Sequence, residues 1–230
     1  PLSLLTMIAS CTTKIKLATA ILITPLRNPA LLAKTAASLD VISKGRLELG
    51  VGLGWQKEEF DTAGVSFEDR SDIFWETLDI CKALWQDSPA SFKGKHFNFD
   101  DIWCHPQPTQ GQNIPLLFGL KMTHENANKI AKIGHGWIPI KTSRDFILAG
   151  KDILSDAFNK EGRQDQPRIR GQLPTCVDDD GVPNIDLTLK ELEKSMAAGL
   201  NEIEFFPINF VQAPDDIYKV LKLISEVKKS

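Results

Sequence analysis

Beyond one leading helical segment, the chain alternates short apolar runs with amphipathic stretches six times. That alternation limits the fold more than any other feature of the sequence. The runs lie at about 15–23, 46–51, 115–119, 137–140, 168–175 and 202–206, and a helical pattern follows each. A strand that returns to its sheet only through a helix must pair in parallel, with helices packed against the sheet. An eight-unit barrel takes about 250 residues. With 230 residues beginning at Pro1, six units and a leading helix fit an α/β (β/α)8 barrel lacking its first strand, first helix and second strand. The chain is then expected to start inside a longer protein, with an open doubly wound sheet as the rival. The organisation expected is one partial barrel domain over 1–230, interrupted by an excursion at about 86–114.

Local signals set the boundaries. Asn28-Pro29 starts a helix, because the Asn side chain accepts a free N–H and Pro suits the first helical position. That helix stops near Gly45. Ser66-x-x-Asp69 resembles a capping box ahead of Phe74, Leu78, Cys81 and Trp85, which share one helix face. Gly94 marks a hairpin inside the excursion, and its tail at 106–112 reads as a loop. An excursion of this length is either a lid or a surface decoration. Leu189, Leu192 and Met196 share another helix face. Pro214-Asp215-Asp216 opens the last helix, which Lys228 and Lys229 close as its dipole prefers.

Composition excludes several classes. Apolar residues make up 42% and charged residues 25%, with a net charge of −3, so nothing favours nucleic acid or an anionic membrane as partner. No apolar run approaches the ~20 residues that span a bilayer, and no signal peptide is visible. Cys11, Cys81, Cys104 and Cys176 lack metal spacing and read as reduced cytoplasmic thiols, two of them core-packed. His96, His105, His124 and His135 show no ligand spacing either, so no metal is expected. No nucleophile elbow is present.

The chemistry points to residues 47–60, Leu-Glu-Leu-Gly-Val-Gly-Leu-Gly-Trp-Gln-Lys-Glu-Glu-Phe. Gly50, Gly52 and Gly54 alternate at the end of a buried strand, where missing side chains let a large flat ligand approach the backbone. Tight packing at the strand-to-helix turn is the alternative. A dinucleotide fingerprint would need glycine where Trp55 stands. Trp55 lines a pocket or joins the core, and Glu58 and Glu59 favour a helix N-terminus. Arg70 is expected to pair with a neighbouring acid, and Arg27 lies beside the exit of the first strand, within reach of a pocket.

Taken together, Leu17-Ala-Thr-Ala-Ile-Leu-Ile-Thr-Pro-Leu-Arg-Asn-Pro29, Leu39-Asp40, Gly45-Arg46-Leu-Glu-Leu-Gly-Val-Gly-Leu-Gly-Trp55 and Glu58-Glu59-Phe60 resemble the luciferase-like monooxygenase superfamily. The branch most resembled is the deazaflavin-dependent oxidoreductases that use coenzyme F420. Ser91-Phe-x-Gly94 with His96-Phe97, Pro106-x-Pro108, Pro115-Leu-Leu-Phe-Gly119 and Ile133-Gly-His-Gly-Trp-Ile-Pro139 agree. The resemblance is strongest over 15–140.

It implies a TIM-type barrel binding a flavin or deazaflavin at the C-terminal ends of its strands. The reaction implied is hydride transfer, or monooxygenation with reduced flavin, on a small organic substrate. Coenzyme F420 is favoured, FMN is the alternative, and a non-catalytic binding or structural remnant is the rival function. Ala20-Ile21 matches a non-proline cis peptide behind the cofactor ring. Gly119, Leu120, Lys121 and Thr123 match the segment that receives the cofactor phosphate, although Leu120 stands where relatives commonly have glycine and Thr123 could simply cap a helix. Catalytic acid–base residues are not assigned. A homodimer is expected from the resemblance and from two open sheet edges, near Ile15 and Glu202.

Overall fold

The computed structural model describes residues 1–141, 143–211 and 213–227. The chain divides into two compact units. The first comprises Pro1–Leu120 with Ile133–His135; the second comprises the described residues of Lys121–Lys132 and Gly136–Ser230.

In the first unit, α1 (Leu2–Cys11) leads to β1 (Leu17–Ile23), α2 (Pro29–Ser43), β2 (Leu47–Gly52), α3 (Lys57–Ala63) and α4 (Arg70–Gln86). An antiparallel hairpin, β3 (Ala90–Lys93) and β4 (Asn98–Ile102), precedes β5 (Leu116–Gly119). β1, β2 and β5 pair in parallel in that order. Asn28 caps α2 as expected, its side chain accepting the Leu31 N–H at 3.0 Å. Left-handed Lys44 and Gly45 end it. The same sheet face carries Leu17, Leu49, Val51 and Phe118, all buried. Phe118 stacks on Trp75 and meets Phe74 edge-on, so α4 covers this face. Trp85 ties α4 to α2 by donating its indole N–H to the Ala33 carbonyl at 3.0 Å.

Two polar clamps fix the connections. The Arg46 guanidinium donates to the carbonyls of Ala9, Thr12 and Ile15, so it closes the C-terminal end of α1 onto the start of β2. Fully buried Asp40 accepts from the Gln110 backbone and side chain at 2.9 and 2.8 Å, which pins the end of the excursion. The hairpin tip is held likewise. Glu76 on α4 accepts backbone N–H groups from Lys95, His96 and Phe97. A Cβ on Gly94 would fall 2.5 Å from the Glu76 carboxylate and would displace it from these bonds.

In the second unit, α5 (His124–Ile133, its last residue in the first unit) precedes β6 (Gly136–Trp137), α6 (Arg144–Lys160), β7 (Arg168–Gln172), α7 (Ile185–Ala197), β8 (Glu202–Glu204) and α8 (Ile217–Val227). β6, β7 and β8 pair in parallel. Fully buried Trp137 packs so closely under α6 that a Cβ on Gly150 would fall 2.3 Å from its ring.

Each expected strand–helix unit is present, and several boundaries move. β1 begins at Leu17 because Ile15 is solvent-exposed and its carbonyl is taken by Arg46. β6 has only two residues, since Pro139 cannot donate to a ladder. β7 stops at Gln172, ahead of Pro174. α4 starts at Arg70: Ser66 Oγ accepts the Asp69 N–H at 3.2 Å, but Asp69 makes no reciprocal cap. Arg70 lies 3.8 Å above the Phe67 ring and donates to the Phe67 carbonyl rather than pairing with an acid. Met196 is exposed, not packed with Leu189 and Leu192. Lys228 and Lys229 lie outside the described residues. All four cysteines are free thiols, with Cys81 and Cys104 buried. Burial pushes the Cys81 thiol far up. No helix among the described residues is long and apolar enough to cross a membrane.

Candidate functional site

β2 and β5 end side by side, with Gly52 and Gly119 as register partners. A Cβ on Gly119 would fall 1.8 Å from Ile21 Cδ1, and one on Gly52 would fall 3.2 Å from Ile21 Cγ2. The Ile21 side chain therefore lies across both glycines. It is 37% exposed, so one side rests on backbone and the other faces outward. The pairing of β1 with β2 shifts register between Thr19 and Leu22, and the Ala20–Ile21 peptide is cis. Ala20 is exposed beside Ile21. Ala20, Ile21, Gly52 and Gly119 thus make a shallow apolar ledge at the C-terminal ends of parallel strands, where α/β folds place ligands.

The other glycines of the motif do different things. Gly50 is buried, and its carbonyl accepts the Thr19 hydroxyl at 2.8 Å. Gly54 has φ +80°, and a Cβ there would fall 2.8 Å from Ile23 Cγ2 and 2.9 Å from the Phe60 ring. Its role is the turn into α3, not the ledge. Trp55 is 81% exposed, which excludes the core reading. Glu58 and Glu59 are exposed in the first turn of α3.

The segment after β5 divides between the units. Gly119 and Leu120 close the first; Lys121 and Thr123 open the second. Leu120 is buried and Lys121 is exposed. Thr123 Oγ accepts the Asn126 N–H at 3.2 Å, which is a helix cap on α5. The Asn126 side chain donates to the Lys121 carbonyl at 2.9 Å.

The second unit carries a polar ladder that the sequence reading did not single out. In β7 and β8, Arg170 pairs in register with Glu202, and Gln172 with Glu204. Glu202 accepts from Arg168 Nε, and from Arg170 Nε at 2.7 Å. Burial pushes the Glu202 carboxyl up, but the bonds and charges of Arg168 and Arg170 outweigh it and hold it below the usual range. Glu204 stands at the strand end with Oε1 buried and no partner for it among the described residues. Burial pushes its carboxyl up; Arg170 opposes this and Glu202 adds to it. Glu204 is therefore the readier of the two to hold a proton. The signal was present in Arg-Ile-Arg-Gly-Gln and Glu-Ile-Glu, where charge alternates with period two.

The model of one family, luciferase-like monooxygenase, matches residues 1–182. The uncharacterized protein Rv0953c of Mycobacterium tuberculosis is 35% identical over 161 residues, 70% of this chain and 56% of that protein. The chain spans about half the length of the curated relatives it matches. The coenzyme F420-dependent tetrahydromethanopterin reductase of Methanopyrus kandleri superposes with a TM-score of 0.71 at 17% identity, over 95% of this chain and 84% of that one. The oxygenating constituent of 3,6-diketocamphane monooxygenase from Pseudomonas putida, in complex with FMN, gives 0.66 at 18%, over 86% and 63%. Likeness at that identity shows the fold alone: α/β with parallel strands, consistent with part of a TIM-type luciferase-like barrel.

Proposed function

The chain belongs to the luciferase-like monooxygenase family, and on that premise we propose that it forms the ring-seating part of a flavin- or deazaflavin-dependent oxidoreductase acting on a small organic substrate in the cytoplasm. The ledge carries this reading. Ile21 lies flat over Gly52 and Gly119, where any larger residue would displace it, and offers an apolar surface to a planar ring. The residues present fit such a ring. Ala20 and Ile21 would back it, Gly52 would let it approach β2, and exposed Trp55 would flank it. Gly119 and Leu120, at the end of β5, would meet the start of its tail. Bound there, the group supplies hydride transfer as a deazaflavin, or oxygen activation as reduced FMN. Coenzyme F420 is favoured on the Ala20-Ile21 and Gly52–Trp55 segments, and FMN is the alternative.

The test is retention. Chain incubated with F420 or FMN and passed over a desalting column should carry one of them, identified by its visible absorption band. Carrying neither would favour the rival, a non-catalytic binding or structural remnant.

The same reading includes a homodimer. α1 has no charged residue, and α2 has only Lys34 and fully buried Asp40. Leu4, Met7, Leu31 and Ile42 are all solvent-exposed on these two packed helices. Leu31, Thr35, Ser38 and Ile42 share one stripe of α2, apolar at its two ends. Met7→Glu with Leu31→Glu should halve the mass measured by light scattering. A monomeric wild type would remove the dimer.

A further inference from the structure

We propose that the first unit holds a structural site for a divalent transition-metal ion such as Zn2+, with Asp69, Asp72 and His96 as its ligands. One oxygen of each carboxylate and one ring nitrogen of His96 lie within 4.8 Å of one another. Asp69 is the N-cap residue of α4 and Asp72 stands in its first turn, so one turn of helix presents both acids. His96 comes from the tip of the β3–β4 hairpin. Its side chain is only 19% exposed, and Nε2 is buried with no hydrogen-bond partner among the described residues. A buried nitrogen left without a partner is unfavourable, and an ion bonded to it would remove that cost. The ring is not loosely placed, because Glu76 fixes the backbone of residues 95–97.

Distance separates this arrangement from an ordinary ion pair. His96 Nε2 stands 3.9 Å from Asp72 Oδ2, too far for a hydrogen bond. Two coordinate bonds to one ion place their ligand atoms about 3.4 Å apart at a tetrahedral angle and about 4.2 Å apart when opposed. The remaining closure is within the swing of two half-exposed carboxylates. A cation already marks the place: Lys95 Nζ lies 2.7 Å from Asp72 Oδ2 and 3.7 Å from Asp69 Oδ1. The Lys95 side chain is 63% exposed, so its ammonium can leave for water when an ion of higher charge arrives. Imidazole beside two carboxylates suits Zn2+ better than Mg2+ or Ca2+, which take oxygen ligands. Water would complete the coordination. Bound there, the ion would tie the excursion to α4. Histidine spacing along the chain gave no sign of this set, because it uses one ring and two acids from another element. The site contains none of the ledge residues and does not depend on the redox reading.

The chain has four histidines, so carbon-edited spectra of the imidazole C–H groups give few signals. The His96 signal is identified by its loss in His96→Gln. Titration of the chelator-treated chain with zinc chloride should shift that signal saturably and leave those of His105, His124 and His135 in place. Magnesium chloride at the same concentrations should not move it. Asp69→Asn and Asp72→Asn should each weaken Zn2+ by about tenfold or more. Lys95→Met, which removes the competing ammonium, should tighten it by about threefold. The three other histidine signals report that each variant is folded. No saturable shift of the His96 signal would overturn the proposal, and so would uptake of Zn2+ by the exposed Cys11 thiol with that signal left in place. An equal response to Mg2+, equal affinity in both asparagine variants, or no tightening in Lys95→Met would overturn it as well. No redox cofactor enters the experiment, so its failure and that of the ledge reading are distinguishable.

Discussion

Replacing Gly136 with alanine is expected to cost the second unit about 3 kcal/mol or more, enough to unfold a marginally stable chain. The added Cβ would fall 2.1 Å from the Arg168 carbonyl oxygen and 2.8 Å from its carbonyl carbon. Those atoms are backbone, in the strand that pairs with Gly136 in register. No rotamer change can relieve the clash, so β6 must separate from β7. β6 has two residues, and losing this pair takes half of its ladder. Trp137 follows immediately and is seated against Gly150, so displacement there would reopen a buried indole. Urea denaturation followed by tryptophan fluorescence checks this. A midpoint equal to that of wild type would mean that β6 and β7 are not paired as described.

The second large effect concerns the ladder. Glu202→Gln should lower stability by about 2 kcal/mol at neutral pH, because two half-buried guanidinium groups lose their shared charge. The sign with pH follows from the direction of the shift. Arg168 and Arg170 hold the folded carboxyl below its ordinary value of 4.5, so its contribution is full above that value. It fades as pH falls through the lower folded value. Wild type and variant should therefore differ at pH 7 and converge in acid. Glu204 runs the other way. Its folded carboxyl is held above 4.5, so ionising it costs stability that is lost as pH rises through the folded value. Removing the Glu202 charge also lowers the Glu204 carboxyl, since repulsion by Glu202 helps to raise it. Thermal midpoints of both proteins across pH measure this. A gap that does not change with pH would assign the loss to packing rather than charge.

Much of this was legible locally. α2 could be bounded because Asn28, Pro29 and Gly45 act on their own neighbours. Strand ends were read too long at 15–23, 137–140 and 168–175, since apolar character continues past the point where proline or an arginine clamp removes the partner. The site was legible only in part. Alternating glycines drew attention to β2, but Gly52 opens the ledge and Gly54 makes a turn, and only the backbone angle and the neighbour of each distinguish them. Trp55 could not be placed from sequence, because both a pocket and a core accept indole. The Arg–Glu ladder went unread because it depends on how residue 170 meets residue 202 across two strands far apart in sequence. Arg70 meets the ring of Phe67, only three residues before it, in place of the acid expected from its charge.

The account turns on whether a planar redox ring rests on Ile21 where it lies over Gly52 and Gly119. Gly119→Ala adds one methyl group 1.8 Å from Ile21 Cδ1. That atom is the free end of a side chain, so the fold should survive at a cost of about 1 kcal/mol while the ledge is displaced. Fluorescence titration with F420 and with FMN, wild type beside variant, reads the consequence. The prediction is that wild type binds one of the two and the alanine variant binds it at least tenfold more weakly, with its denaturation midpoint only slightly lowered. Equal affinity in a folded variant, or no uptake of either ring by wild type, would contradict it.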